Sequence, residues 1–137
     1  MEISSLNFKM LPLKNRLKRE REIERVLREK RSVKERSIVL KKIENLLKES
    51  RFCFIVPGEV SKKATVRNKI KRRMREVLRE NLSKIKKGFD IVLIALPGIE
   101  KKSFREFKKD LLKVLFKAKV LRWIFLKQFY IDPSWTF

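Results

Sequence analysis

The stretch Ala64-Thr65-Val66-Arg67-Asn68-Lys69-Ile70-Lys71-Arg72-Arg73-Met74-Arg75-Glu76 predicts one helix with a packed face and a charged face. On a 3.6-residue helix, its apolar residues form one stripe that continues into the following turns. The members of this stripe are Ile70, Met74, Val77, Leu78, Leu82 and Ile85. A different face carries what we call the basic strip, which consists of Asn68, Lys71, Arg72, Arg75 and Arg79. This spacing of cations suits the phosphate oxygens of a nucleic acid, although many charged helix faces only meet solvent.

The charge of the whole chain favours a polyanionic partner. The chain has 38 Lys and Arg residues against 16 Asp and Glu residues, a net charge of +22 in 137 residues. Such a charge repels itself in the compact state unless a polyanion neutralises it. Because 43% of the residues are hydrophobic, the chain can still bury a core. We therefore expect a folded basic protein and not a disordered basic tail.

The composition also excludes several kinds of catalytic site. The chain has no His and a single Cys, Cys53, so Ser-His and Cys-His catalytic pairs, Cys/His zinc sites and an internal disulfide are ruled out. Cys53 lies in an apolar run, where we expect a buried structural thiol and a reducing compartment. The sequence has neither a secretory h-region nor a run of ~18 apolar residues. We expect a cytoplasmic protein without stable membrane insertion.

Apolar patterns predict the order helix, strands, basic helix, strand, helix. The first helix is predicted from Leu17 to about Lys30. Residues 37–43 fit a strand or a helix, and we favour the strand. Residues 52–56 and 89–96 are apolar runs that end at Pro-Gly, which is typical of buried strands, and the second is expected to be covered on both faces. The chain is therefore expected to be an α+β domain with helices packed on a short sheet.

Local signals predict where the later helices begin and end. Thr65 is the expected N-cap of the basic helix, and Gly88 is its expected C-terminal stop. Ser103 and Glu106 have the spacing of a capping box, so another helix is predicted to begin there. We expect this last helix to run past Trp123.

Three segments resemble the protein subunit of bacterial ribonuclease P. Residues 67–76 resemble its signature helix, whose pattern is close to R-N-R-x-K-R-x-x-R, and only Lys69 departs, with one cation replacing another. The segment Lys14-Asn15-Arg16-Leu17-Lys18 is similar to the family's basic lead-in, and residues 88–95 are similar to its G-x-D-hydrophobic strand. Together, the motifs cover roughly residues 14 to 118 in the correct order.

The resemblance implies a fold. It is a compact two-layer α-β sandwich with a short mixed sheet, in which the basic helix forms a left-handed βαβ crossover. Residues 1–119 would form this RNA-binding domain, and residues 120–137 would form an aromatic C-terminal extension.

The resemblance also implies a function, which is endonucleolytic removal of the 5′ leader from precursor tRNA by a ribonucleoprotein. The catalytic RNA of ribonuclease P would perform the cleavage with Mg²⁺ that it mainly holds itself, and the isolated protein would be inactive. The implied partners are this RNA and precursor tRNA, with no obligate protein partner evident. The alternative is a non-catalytic basic RNA-binding or ribosome-associated protein.

The resemblance assigns RNA-binding positions but no catalytic residue or metal ligand. Matching positions for contacts to the catalytic RNA are Arg67, Asn68, Lys69, Lys71, Arg72 and Arg75. Arg79 is a further candidate because it belongs to the basic strip. Lys62 and Lys63 are also candidates, although the Ser-Lys-Lys segment that contains them is displaced towards the helix relative to the family. Asn68 adds no charge, so it could bind a phosphate or a metal-bound water, or it could serve a local turn.

A cleft between the first helix and the sheet binds the single-stranded leader in the family. Matching positions here are Ile23, Leu27, Val39 and Lys41, none of which is aromatic. Ile23 and Leu27 could equally be ordinary core residues. Without base stacking, which contributes about 1–3 kcal/mol per base, leader binding should be weaker or depend more on cations such as Lys41.

The segment from Val120 to Phe137 lies beyond the resemblance and is unusually aromatic. It could pack on this domain, pair with a second copy, or lie on a membrane surface with Trp and Lys as anchors. We favour packing on the domain.

Overall fold

The computed structural model of the protein describes residues 11–122. Its helices and strands are, in chain order, α1 (Glu20–Leu27), β1 (Val33–Glu35), β2 (Ile38–Glu44), β3 (Arg51–Ile55), α2 (Ala64–Glu80), β4 (Phe89–Ala95) and α3 (Phe104–Lys117). This order confirms the succession predicted from the sequence, including the strand at residues 37–43, and adds the short strand β1. No helix within residues 11–122 is long and apolar enough to cross a membrane.

The four strands form one mixed sheet in the order β1-β2-β4-β3. β2 pairs antiparallel with β4, from Ile38 opposite Ala95 to Glu44 opposite Phe89. β3 pairs parallel with β4, and α2 is the connection between these two neighbours. The α+β class and the crossover around the basic helix are thereby confirmed, and the left-handed sense of the crossover stays as the resemblance implies it.

Helices cover the two faces of the sheet unequally. α2 and α3 pack on one face, and the main core lies between them and the sheet. α1 covers part of the other face, where Leu17, Val26 and Val92 form a second, smaller buried cluster. Since residues on both faces of β4 are buried, this strand has the double cover that its apolar run predicts. The largest buried side chains include Phe52, Phe107, Met74, Leu78, Leu93, Leu111 and Leu115.

The bounds of α2 differ from those expected. Thr65 lies inside the helix, which begins at Ala64 with Lys63 as its N-cap and without a side-chain cap hydrogen bond. The helix ends at Glu80, because the chain turns at Asn81, whose side-chain Nδ2 donates to the carbonyl of Val77. Gly88, expected as the stop, instead lies immediately before β4 with a φ of 94°. The predictions that Thr65 caps the helix and that Gly88 ends it are wrong.

The capping box of α3 is confirmed, but the helix is shorter than expected. The backbone N–H of Glu106 donates to Ser103 Oγ at 3.2 Å, and the Glu106 carboxylate accepts the N–H of Ser103. The helix ends at Lys117 and does not continue towards Trp123, which lies outside the described residues. α1 is likewise shorter than the predicted span from Leu17 to Lys30.

The chain after α3 returns to the core. Val120 and Leu121 are buried, at 0% and 3% exposure. The backbone N–H of Lys86 donates to the carbonyl of Val120 at 2.7 Å. The packed part of the domain therefore includes the first residues of the segment beyond 119, and residues 123–137 lie outside the described range.

Candidate nucleic-acid interface

The packed face of α2 fixes the direction of its basic strip. Ile70, Met74, Val77 and Leu78 are each no more than 5% exposed and lie in the main core, as the apolar stripe predicts. The other face turns outward as a consequence. Among the predicted RNA-binding residues on the helix, Asn68, Lys69, Arg72 and Arg75 are exposed, and Arg67, Lys71 and Arg79 are half-buried.

Three cations of the basic strip have no acid beside them in the described part of the chain. Within residues 11–122, no Asp or Glu lies within 4.0 Å of the charged groups of Lys71, Arg72 or Arg75. Glu80, which lies beside the strip on the helix, pairs with Lys108 of α3 at 3.9 Å. The positive potential of these side chains is therefore directed at solvent or at a partner.

The residues before α2 surround its first turn with cations. Lys62 and Lys63 are both exposed. Arg67 Nη1 donates to the carbonyl of Ser61 at 2.9 Å, so this predicted RNA contact also holds the loop against the helix. The side chain of Asn68 makes no hydrogen bond with another residue of the described range, and no local turn depends on it there.

The segment before α1 brings further cations to α2. The backbone N–H of Leu17 donates to the carbonyl of Phe52 at 2.8 Å, so this segment lies along the edge of β3. Between it and α2 lies a cavity of about 360 Å³, which we call the β3 groove. Its lining includes four cations, Arg16, Lys18, Lys71 and Arg75.

Arg16 and Lys18 were absent from the residues predicted to bind RNA. The basic lead-in at residues 14–18 was the available signal. Nothing in its pattern shows that a backbone hydrogen bond to β3 would place it beside α2. The groove thus extends the cationic surface from the helix towards the sheet.

Cys53 lies in the floor of the β3 groove and is half-buried, less than the buried thiol that we expected. Burial raises the pKa of this thiol, and the nearby charge of Lys71 opposes that shift. Because Cys53 packs against the cluster on the α1 face and lines the β3 groove together with Lys71, the groove connects the basic strip with this face.

The predicted cleft residues lie on the α1 side of the sheet. Ile23 and Leu27 are half-buried and pack against the small cluster around Val92. Lys41 Nζ donates to the carbonyl of Leu27 at 2.9 Å, so this cation ties the end of α1 to β2. Val39 is half-buried and lies opposite Ile94. The structure therefore brings the four residues to one face of the sheet. Ile23 and Leu27 pack on the small core cluster, and they also remain partly accessible.

A row of apolar side chains on this face is only half-covered. It runs across three strands, with Val39 of β2 opposite Ile94 of β4 and Ile94 opposite Ile55 of β3. We call these three residues the apolar row. Ile55 and Ile94 were not predicted as cleft residues, because a continuous apolar strand such as 89–96 does not show which of its two faces is open.

Arg51 fixes α1 beside this row. Its guanidinium group donates to both carboxylate oxygens of Asp90, at 2.8 and 2.7 Å, and to Glu22 of α1 at 2.7 Å. Hydrogen bonds to Asp90 and then to Glu22 raise the pKa of Arg51 above its ordinary value, although burial opposes the rise. The position of α1, and with it the width of the cleft, depends on this pair of contacts.

Comparison with known proteins agrees with this geometry. The model of the family described as Ribonuclease P matches residues 11–119. The chain is 36% identical over 109 residues to the ribonuclease P protein component of Syntrophomonas wolfei, an alignment that covers 80% of this chain and 91% of that relative. The chain belongs to the ribonuclease P protein family.

Solved structures of ribonuclease P proteins share its fold. A mutant of the Staphylococcus aureus RNase P protein superposes with a TM-score of 0.74 at 28% identity, covering 88% of this chain and 98% of that one. The RNase P protein of Thermotoga maritima superposes with a TM-score of 0.68 at 32% identity, covering 74% of this chain and 96% of that one.

Membership of the ribonuclease P protein family makes the chain a protein component of an endoribonuclease complex that acts in tRNA 5′ processing, and it implies an RNA partner. Within residues 11–122, no three His, Cys, Asp or Glu side chains lie together in a way that could hold a metal ion. That the protein holds no metal of its own stays a prediction for the whole chain.

Proposed function

We propose that this ribonuclease P protein binds the catalytic RNA through the basic strip and its flanks, and binds the 5′ leader of precursor tRNA along the α1 face of the sheet. The observation that carries the proposal is the outward face of α2, on which Lys71, Arg72 and Arg75 have no acid within 4.0 Å among the described residues, opposite the buried stripe of the helix. Phosphate contacts of this kind fix the position of an RNA without reading its sequence. Arg67, Lys69, Lys62 and Lys63 extend the same surface around the start of the helix.

The β3 groove supports a continuous path between the two parts of this interface. Lys71 and Arg75 belong both to the strip and to the groove, and Cys53 in the groove floor lies on the same strand as Ile55 of the apolar row. A single strand of RNA could follow this path, with phosphates at the cations and bases over the apolar row. Since the row has no aromatic ring, each base should gain less than the ~1–3 kcal/mol that stacking supplies.

In this proposal, the cleavage itself is performed by the RNA, and Mg²⁺ held mainly by the RNA supplies the metal chemistry. The protein's own residues bind and orient the RNA and the leader. This division fits a chain without His, in which the strongly basic surface is the feature that the fold presents. We place this activity in the cytoplasm and propose no obligate protein partner.

Reconstitution tests the function. The purified full chain would be combined with a bacterial ribonuclease P RNA and precursor tRNA at low Mg²⁺ concentration, and 5′ maturation would be followed with time. We expect the chain to increase the rate, whereas the protein alone should cleave nothing. Equal affinity for an unrelated structured RNA, together with no gain in maturation, would instead indicate the alternative of a general RNA-binding protein.

The salt dependence of RNA binding tests the basic strip separately. The double variant Arg72→Ala/Arg75→Ala should reduce the log–log slope of affinity against salt by about two units, one for each lost phosphate contact. The matched control is Arg105→Ala/Lys109→Ala, which removes the same charge from exposed positions on α3. An equal change of slope in both variants would show that net charge, and not the strip, determines binding.

A further inference from the structure

A second groove lies where α2 ends, and it belongs neither to the basic strip nor to the cleft. Its volume is about 810 Å³, and we call it the terminal groove. Its apolar lining consists of Pro12, Phe52, Leu82 and Ile85. Phe52 and Ile85 are core residues, so the groove opens directly onto the main core.

Three of the exposed apolar residues belong to the two segments that contribute Pro12, Lys14, Glu49 and Ser50 to the lining of the terminal groove. Within residues 11–122, four large hydrophobic side chains are exposed, and three of them are Leu13 at 66%, Leu46 at 93% and Leu47 at 50%. Leu13 lies between two residues of the groove lining, Pro12 and Lys14. The backbone of Leu47 lies close to Gly88, the residue that follows Lys87 of the groove lining. The carbonyl oxygen of Leu47 is 3.6 Å from the position that a Cβ on Gly88 would occupy.

Burial of such an apolar surface lowers the free energy of the protein in water. A cluster of accessible leucine side chains beside an apolar groove marks a place where another segment or molecule packs. The fourth exposed residue, Phe104, lies at the other end of α3, and Arg73 is placed over its ring at 6.0 Å.

The direction of the chain identifies the segment that reaches this place. Residues 120–122 run antiparallel to residues 84–86, with Leu121 opposite Ile85 and the N–H of Arg122 donating to the carbonyl of Lys84 at 2.7 Å. Arg122 Nη1 also donates to the carbonyl of Ser83 at 3.3 Å. Ser83 and Arg122 both line the terminal groove, so the described chain ends at the groove.

We propose that residues 123–137 of this chain occupy the terminal groove and cover Leu13, Leu46 and Leu47. Nine of these fifteen residues are Trp, Tyr, Phe, Ile or Leu. Fifteen residues span up to about 50 Å when extended, which is enough to cross the groove and reach the leucines. Removing so many apolar side chains from water is strongly favourable. Arg122, the residue directly before the segment, already lines the groove.

The charges around the groove fit the same occupant. Lys14, Lys86, Lys87 and Arg122 belong to its lining, and cations of this kind bind the faces of Trp and Tyr rings. The segment itself contains one Lys and one Asp, so its docking adds no net charge to a strongly basic surface. A nucleic acid would match the four cations but not the exposed leucines, whereas the aromatic segment matches both.

Docking at this place leaves the first part of the basic strip open. Arg72 lies eight residues before the end of α2, a distance of about 12 Å along the helix axis. The segment would therefore cover the core near Arg79, the last residue of the basic strip, while Arg72 and the residues before it remain accessible.

Tryptophan fluorescence of the full chain tests this inference. Both Trp residues, Trp123 and Trp135, lie in the segment, so the signal reports on the segment alone. We expect an emission maximum at shorter wavelength than that of free tryptophan, and weak quenching by acrylamide. The variant Leu13→Gln/Leu46→Gln/Leu47→Gln should shift the emission to longer wavelength and raise the quenching constant about threefold.

The matched control is Phe104→Gln, which removes an exposed apolar side chain at the start of α3, about 20 Å from the end of that helix. It should leave the emission unchanged. Far-UV circular dichroism verifies that the variants are folded. The second variant Lys86→Gln/Lys87→Gln keeps the leucines and should produce a smaller shift in the same direction.

Other occupants give different results, and each would overturn the inference. A short-wavelength emission that disappears on hundredfold dilution would show that a second copy fills the groove. Emission like that of free tryptophan, which shifts only when vesicles of phosphatidylglycerol or an RNA are added, would assign the segment to a membrane or to RNA. Emission that the leucine variant does not change would place the segment elsewhere.

Discussion

At the scale of single residues, Arg51 connects three elements of the fold. It lies on β3, and its two carboxylate partners are Asp90 of β4 and Glu22 of α1. Asp90 is only 4% exposed, so its charge depends on the guanidinium group for compensation. Arg51→Ala should therefore lower the free energy of unfolding by about 3 kcal/mol, because it leaves a buried carboxylate without its partner. Urea unfolding of both proteins measures the difference.

An exposed ion pair provides the control for this prediction. Arg28 and Glu24 approach to 3.9 Å on α1, with 80% and 52% of their side chains exposed. Arg28→Ala should change the stability by less than about 0.5 kcal/mol, since exposed pairs contribute little. If the two variants lost equal stability, the position of Arg51 between two carboxylates would have no special importance for the fold.

At the scale of elements, the starts of α2 and α3 differ in a way that mutation can measure. Ser103 caps α3 through its hydroxyl group, whereas Thr65 lies inside α2 and caps nothing. Ser103→Ala should cost about 1 kcal/mol of unfolding free energy, the usual effect of losing an N-cap. Thr65→Ala should be neutral or slightly stabilising, because Ala is the better helix former. Thermal unfolding of the two variants compares them, and a larger loss at Thr65 would contradict the position of α2.

The contrast between these two residues shows what the sequence could establish about elements. The spacing of Ser103 and Glu106 carries its own mechanism, so the capping box could be predicted. Thr65 is a suitable residue type for an N-cap, but the helix begins two residues earlier than a Thr65 cap requires, with Lys63 as N-cap after the loop that Arg67 holds through Ser61. Helix ends were the least predictable feature because single side-chain contacts determine them, as Arg67 with Ser61 and Asn81 with Val77 do for α2.

The same limit applies to the candidate site. Helical periodicity was sufficient to separate the buried stripe of α2 from its basic strip, because both are properties of one element. The β3 groove needs the lead-in around Arg16 to pair with β3, and the apolar row needs three strands in register. No local pattern contains that information. The strand β1 was missed for a similar reason, as only three residues pair with β2.

At the scale of the whole molecule, acids and cations are distributed unequally. The acids that form ion pairs within residues 11–122 mostly hold structural elements together, as Asp110 does with Lys102 and Glu35 does with Lys117. None of these ion pairs includes Lys71, Arg72 or Arg75, so the charge of these three cations is not compensated by an acid where RNA is proposed to bind. The free protein therefore carries a repulsion that a bound polyanion would remove.

This distribution predicts that a multivalent anion stabilises the fold beyond simple screening. Pyrophosphate that binds the native surface at a concentration of 100 times its Kd should add about 2.7 kcal/mol of stability. For a domain of this size, that corresponds to a rise in Tm of roughly 10 °C. Calorimetry with pyrophosphate, and with sodium chloride at the same ionic strength, separates binding from screening, since chloride should produce a smaller rise. The Arg72→Ala/Arg75→Ala variant should lose part of the difference between the two salts, because two of the strip's phosphate-binding groups are missing. Equal rises in both salts would show that the charge of the chain is only screened, and that its surface holds no preformed site for phosphate groups.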